Sequence, residues 1–456
     1  MLYNGKVIKD VLKLALPAVG EMILYMTIWV FDTMMVGKYG GQTAVSSVGL
    51  SSEILYTFVN MLISIGISVG ITSLVARRYG GKELSSAEEY ATIGFFIGSI
   101  VALILSISMF TFSRQILIFG GAKLNVIDLG VIYMRIVSLG LFFNMLTSMI
   151  NAVLRGYGNT KTPLIISILI NIINLALDWV LIFGRLGFPE LGIKGAAIAT
   201  AIAHICGFLF AITYMKNKSK IKIKPKYIIY LNKRKLINLL TLSIPSSMQE
   251  GAFSISRLIS TFMIMHIGQT SFAANQITTT IESISFMPGW GFGIAATTLV
   301  GHKIGEKNIK EAKEYAYTCA TLGTVFMGIC AIIFLIAPEF LISLFIKETE
   351  KEVIRLGAFC LMVASVEQIP MAISLILNGS LKGAGDTKTP FIISLISSWG
   401  IRLPLMFLFI YIFKVSVVYV WWITSIQWIF EGILMIILFN KKFKSFEKNQ
   451  GQPPNL

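Results

Sequence analysis

Long apolar runs separated by short polar connections pattern the chain from end to end. Many runs reach about 18 residues or more with few charges, and a helix needs about 20 residues to cross roughly 30 Å of hydrocarbon. In lipid every backbone amide must be satisfied within its own segment, so each run is predicted to be a helix. The alternating pattern of a membrane β-barrel is absent. Twelve spans are expected. Six lie near 14–36, 46–72, 89–112, 126–154, 162–184 and 194–215, and six near 238–266, 272–299, 314–337, 353–380, 389–413 and 417–439. The fold class is therefore an all-α polytopic membrane protein.

The connections alternate in charge. Lys6, Lys9 and Lys13 precede span one; Arg77, Arg78 and Lys82 follow span two; Arg155 and Lys161 follow span four. The stretch 216–235 is densely basic, and Lys303, Lys307, Lys310, Lys313, Lys382, Lys388, Lys441, Lys442 and Lys444 continue the series. The opposite connections hold only scattered cations such as Lys38, Arg114, Lys123, Arg185 and Lys347. By the positive-inside rule both termini are cytoplasmic, in a bacterial-type inner membrane, which requires an even number of spans.

Composition agrees: 55% of the 456 residues are hydrophobic and 14% charged, against about 25% charged in soluble domains. The net charge of +16 suggests nucleic acid, but its spread through short loops fits topology instead. Met1 to Lys13 is polar and leads into a span-length run, so no cleavable signal peptide is read. Cys206, Cys319, Cys330 and Cys360 lie in or beside spans at spacings that fit neither a disulfide framework nor zinc.

The halves repeat one another. NAVLRGYGNTKTPLIISI (151–168) matches NGSLKGAGDTKTPFIISL (378–395), TSLVARRYGGK (72–82) matches TTLVGHKIGEK (297–307), and Pro17 matches Pro245. Nearly constant offsets mark one duplication. Each repeat has six spans, so both enter the membrane in the same sense and are related by an axis along the membrane normal. This gives an N-terminal bundle (1–215), a basic cytoplasmic linker (216–236), a C-terminal bundle (237–440) and a tail (441–456). Transporters are the commonest owners of this design, although a duplication can be scaffolding alone. Gly156 and Gly158 read as a tight turn, and Pro163 as a helix start. The linker reads as a solvated segment whose cations face lipid headgroups.

Charges within spans are costly and mark functional candidates. Glu21 and Asp32 fall in span one, Asp178 in span five, and Glu250, Glu282, Glu367, Arg257 and Arg402 in the second half. Glu53, Asp128 and Arg135 lie nearer span ends, where snorkelling is easy; Glu431 is also within a span. Asp32 and Asp178 each lie 15 residues past a proline, Pro17 and Pro163, so both reach similar depth at 1.5 Å per residue. Ser167, Asn171, Asn174 and Asp178 are spaced by four, three and four, which puts one polar stripe on one helix face. That stripe should face Asp32. Two carboxyl groups held close in a dry site do not both ionise easily, so the pair can hold a proton, and the same oxygens with the amides could bind Na⁺. The alternative is that each Asp only bonds a neighbouring helix. Pro17 is a hinge or a static kink.

Glu250 and Arg257 share a helix face seven residues apart and read as an internal ion pair or, with Glu367, a second polar site. The repeat position of Asp178 is Leu405, so the carboxylate pair belongs to the first half. Met (20) and Phe (31) are mostly core and lipid-facing residues, some of which could line an adaptable cavity. Without HExxH, GxSxG or a His/Asp cluster in a span, no enzyme is indicated.

LALPAVGEMILYMTIWVFDTMMVG, LRGYGNTKTP, NIINLALDWVLIFG, GIKGAAIATAIA and LKGAGDTKTP together resemble the multidrug and toxic compound extrusion (MATE) family over nearly the whole chain. The resemblance implies two six-helix bundles forming a cleft. It also implies export of amphipathic, often cationic organic compounds in exchange for H⁺ or Na⁺, with no cofactor. It assigns the cation site to Asp32, Asn174, Asp178 and Thr200, links Tyr133 and Asn151 to that site and to substrate, with Asn171 on the cavity stripe, and makes Pro17 the bend of span one. Glu250 matches a second-half carboxylate of the NorM-like branch. The partner aspartate of that branch is replaced by Met371, which favours the DinF-like branch. Small substrates and membrane lipids are the expected partners of a monomer, without nucleic acid. A flippase for a lipid-linked precursor, using Arg135, Arg257 or Arg402, is the alternative.

Overall fold

The computed structural model describes residues 5–120, 124–346 and 349–448. Lys123, Lys347 and the tail past Lys448 lie outside the described residues. Among the described residues every regular element is helical. The chain begins with α1 (Gly5–Val59), a π-helical segment (Asn60–Ile67) and α2 (Ser68–Gly80), followed by α3 (Leu84–Thr111) and α4 (Ser113–Phe119). Then come α5 (Leu124–Gly156), α6 (Lys161–Phe183), α7 (Ile193–Asn217), the single turn α8 (Lys226–Ile229) and α9 (Lys233–Ile267). The second half continues with α10 (Gln269–Gly305), α11 (Ile309–Ile336), α12 (Pro338–Ser343) and α13 (Lys351–Ala384). It closes with α14 (Lys388–Leu395), a π segment (Ile396–Arg402), α15 (Leu403–Phe407), a second π segment (Leu408–Ile412) and α16 (Val417–Lys448).

Eleven helical segments among the described residues are long and apolar enough to cross a membrane. The expected span seven falls on α9, whose 35 residues are ample in length. Lys233, Arg234, Lys235, Gln249, Glu250 and Arg257 hold its apolarity down. The loop expected between spans one and two is helical, because α1 continues through it. That connection contains no proline, and Gly37 and Gly40 stay in the right-handed region.

The duplication extends to single hydrogen bonds. Thr72 Oγ1 donates to the Ala152 carbonyl at 3.1 Å, and Thr297 Oγ1 to the Gly379 carbonyl at 2.9 Å. Lys82 and Lys307 both take a positive φ, as do Gly158 and Gly385. The Asn159 side-chain oxygen accepts from the Thr162 amide at 3.1 Å, and the Asp386 carboxylate from the Thr389 amide at 3.0 Å. Each satisfies an orphan N–H at a helix start. Gly158 alone supplies the turn. Gly156 is helical, and a Cβ there would lie 2.8 Å from Val75, so its role is close packing.

Two compact units emerge: Gly20–Ser247, and the residues up to Val19 together with Met248 onward. The sequence placed its halves at 1–215 and 237–440. The division instead falls two residues past Pro17 and two past Pro245. The cause is packing of the leading turns. Val7, Val11, Leu14 and Ala15 are buried with Ala296, Val300 and Ala316, whereas Leu239 and Leu242 are buried with Ile71 and Ile93. The helices continue through both prolines.

The basic linker is docked rather than merely solvated. Lys224 Nζ bonds Glu88 at 2.5 Å, its backbone amide donates to Thr92 Oγ1 at 3.0 Å, and Lys235 Nζ bonds Glu89 at 2.7 Å. Ser219 and Ile221 are buried.

Candidate functional site

Within residues 20–247, α1, α5, α6 and α7 bring one polar cluster together. Asn174 and Asp178 are fully buried on α6, so the predicted stripe faces protein and not lipid. Across from it, the Asp32 carboxyl on α1 lies beside Asp178 and Asn174. Asn174 Nδ2 donates to Thr200 Oγ1 on α7 at 3.4 Å, and that hydroxyl donates to the Ala196 carbonyl at 2.9 Å. Tyr133 on α5 is buried beside them; its hydroxyl receives a bond from Ser52 Oγ at 3.1 Å and lies within reach of Thr200.

The unsatisfied atoms have one character. Asp32 Oδ1, Asn171 Oδ1, Asn174 Oδ1 and both Asp178 oxygens are buried without a donor. All are acceptors. No cation is among the described groups that act on either aspartate. A buried oxygen without a hydrogen or a cation is costly, and two neighbouring carboxyls in a dry site do not both ionise easily. The donor set is all oxygen, as hard cations prefer.

Asn171 sits one turn before Asn174, and its Nδ2 donates to the Ser167 carbonyl at 2.8 Å. Asn151 is buried but lies 18 residues from Tyr133 on the same helix, about 27 Å at 1.5 Å per residue, so the two do not share this site. Pro17, the expected bend of span one, lies inside α1, which continues through it. Ser52 was not anticipated, since a serine in an apolar span carries no signal of its own.

The second-half polar group divides in two. Glu250 accepts from Ser254 at 3.3 Å, and Lys382 acts on it more strongly than Arg257 does. Two cations thus act on Glu250: Arg257, as expected, and Lys382, the repeat counterpart of Arg155; Arg155 itself pairs with Glu21. Glu367 belongs elsewhere: it is fully buried and contacts Glu282 and Ser425. Glu431 accepts from Ser374, Ser394, Ser397 and Gln427.

A family model described as MatE matches the chain twice, over residues 17–180 and 245–408. The chain is 29% identical over 436 residues to the "Probable multidrug resistance protein NorM" of Thermotoga maritima, covering 94% of this chain and 92% of that protein. It is 29% identical over 395 residues to the "Probable multidrug resistance protein YoeA" of Bacillus subtilis, covering 85% and 84%. Its fold matches the structure described as the outward-facing conformation of a multidrug resistance MATE family transporter of the MOP superfamily, with a TM-score of 0.90 at 19% identity over 97% of each chain.

Proposed function

The chain belongs to the MatE family, and from that premise we propose that it is a cation-coupled exporter of amphipathic, often cationic organic compounds, working by alternating access. The observation that carries this reading is the contact of Asp32 with Asp178 among bare acceptor oxygens. Such a pair binds H⁺ or Na⁺ when open to one side of the membrane. Release of that cation to the other side supplies the free energy for cargo exit. The names of the relatives as multidrug resistance proteins support the substrate class. The alternating loop charges favour an inner membrane with cytoplasmic termini. No cofactor is required, and the small substrate and lipids are its partners.

A lipid-linked flippase would need free cations for phosphate. Arg135 donates to Ser113 at 3.2 Å, and Arg402 faces Glu282 and Glu367, which favours the exporter.

The test is drug efflux in vesicles under an imposed Na⁺ or H⁺ gradient. Asp32→Asn and Asp178→Asn should each reduce gradient-driven efflux to the leak rate. Full gradient-driven transport by both variants would remove the proposal.

A further inference from the structure

The docked linker divides its cations into two sets. One set is engaged by the unit it lies on. Lys220 Nζ donates to the Tyr79 hydroxyl at 3.2 Å, and Lys224 and Lys235 pair with Glu88 and Glu89 on α3. The other set is Lys222, Lys226, Lys233 and Arg234. All four are exposed, and among the described residues none has a carboxylate partner. Lys226 lies over the ring of its neighbour Tyr227 at 4.8 Å. Between these cations the chain turns apolar side chains outward. Ile229, the last residue of the single turn α8, is 76% exposed, and Tyr230 is 82% exposed. The result is an amphipathic surface, apolar at its centre and cationic at its rim.

The helix that follows sets the partner. α9 starts at Lys233. Along it Ile237, Thr241 and Ile244 are exposed at spacings of four and three, so they share one helix face. In a span an exposed face of this kind meets hydrocarbon. Lys233 and Arg234 stand four and three residues before Ile237, at the start of the same face. The apolar stripe therefore runs directly into the cationic rim, at the level where headgroups begin. A free anion would need the cations alone. The apolar centre and its continuity with the α9 stripe call for a ligand with an anionic head and acyl chains.

We propose that residues 226–234 and the first turns of α9 bind an anionic phospholipid. Its phosphate meets Lys226, Lys233 and Arg234, while Ile229 and Tyr230 enter the boundary between headgroups and acyl chains, where tyrosine is favoured. The ion pairs to Glu88 and Glu89 hold the linker against α3 beforehand, so little ordering is left for the lipid to impose. The inference rests on the membrane-spanning reading of the chain and not on the Asp32–Asp178 site, so lipid binding and gradient-driven efflux can fail separately.

The test is native mass spectrometry of the full chain in detergent, titrated with phosphatidylglycerol or phosphatidylethanolamine of the same acyl chains. Each cation near an anionic headgroup is worth about fivefold in affinity, so the wild-type chain should prefer phosphatidylglycerol by about tenfold or more. Lys226→Gln, Lys233→Gln and Arg234→Gln together should bring the two lipids to within about twofold of each other. Ile229→Ser with Tyr230→Ser should weaken both lipids alike, because it removes apolar contact and no charge. All five positions are exposed. Lys307, Lys310 and Lys388 are exposed cations elsewhere in the chain, and changing them together to glutamine should leave the preference intact. Equal retention of the two lipids by the wild-type chain, equal loss of preference in the Lys307, Lys310 and Lys388 variant, or displacement of the lipid by inorganic phosphate overturns the proposal.

Discussion

In residues 20–247, Asp32 and Asp178 meet beside Asn174 with no cation among the described groups acting on them. In the unit that resumes at Met248, Glu282 and Glu367 meet with Arg402 beside them. The backbones are duplicated down to matching hydrogen bonds, yet the chemistry is not. At the repeat offset of the LRGYGNTKTP and LKGAGDTKTP loops, Asn174 and Asp178 correspond to Ile401 and Leu405, and Arg402 corresponds to Leu175. Counted from the prolines, Asp32 corresponds to Ser260. The carboxyls of the second unit therefore arose at other positions, on other helices. Duplication fixes helix packing through small residues and loop caps; it leaves the buried charges free to diverge.

The ion pairs at the loop cations sharpen that contrast and carry the largest expected effect on stability. Arg155 bonds Glu21 with side chains only 16% and 6% exposed. Removing one partner of such a pair leaves an uncompensated buried charge and costs about 3–5 kcal/mol. Arg155→Met should lower thermal stability in detergent by that amount, and a second change, Glu21→Gln, should recover much of it. Lys382→Met should cost less, because Glu250 keeps Arg257 and the Ser254 hydroxyl as neighbours. Equal losses in the two variants would show that the units are electrostatically alike after all.

The sequence made the helices, the duplication and the first-unit pair legible for identifiable reasons. A membrane span declares itself by composition, and a charged residue within one stands out against its apolar neighbours. The stripe of Asn171, Asn174 and Asp178 showed its buried face through spacing alone. Three features were not legible. The π segments have no pattern distinct from the α-helices that flank them. The unit boundaries just past Pro17 and Pro245 depend on which core receives Val11 or Leu239, a tertiary outcome. Glu282, Glu367 and Arg402 were each visible as costly charges, but their grouping joins residues up to 120 positions apart with no internal period to announce it.

Glycine contacts at the duplicated loop offer a second, smaller comparison. A Cβ on Gly383 would lie 2.3 Å from the Thr297 carbonyl oxygen, which is backbone, whereas one on Gly156 would lie 2.8 Å from the Val75 side chain. Side chains yield more readily than backbone, and overpacking costs about 1–3 kcal/mol. Gly383→Ala should fall at the upper end of that range and Gly156→Ala at the lower, measured by thermal unfolding. The reverse order would mean that the α10–α13 contact relaxes more easily than the α2–α5 contact.

The smallest effect should come from the docked linker, where the units differ again. The α3 residues Glu88 and Glu89 receive Lys224 and Lys235; counted from the helix starts Leu84 and Ile309, the α11 counterpart of Glu88 is Lys313, which offers no such acceptor. These bonds are partly exposed, so they should hold a segment in place without adding much global stability. Changing Lys224 and Lys235 together to alanine should speed protease cleavage within 216–232 several-fold, roughly the loss of local protection expected for a loosened loop, and leave thermal unfolding nearly unchanged. Its bond to Glu88 also holds the Lys224 ammonium above the ordinary lysine range. A group raised on folding contributes fully below its unfolded value and loses that contribution as pH rises through its folded value. Protection of the linker should therefore stay constant across neutral pH and fail only above the usual lysine range. Failure near neutrality would place its control on some group other than Lys224.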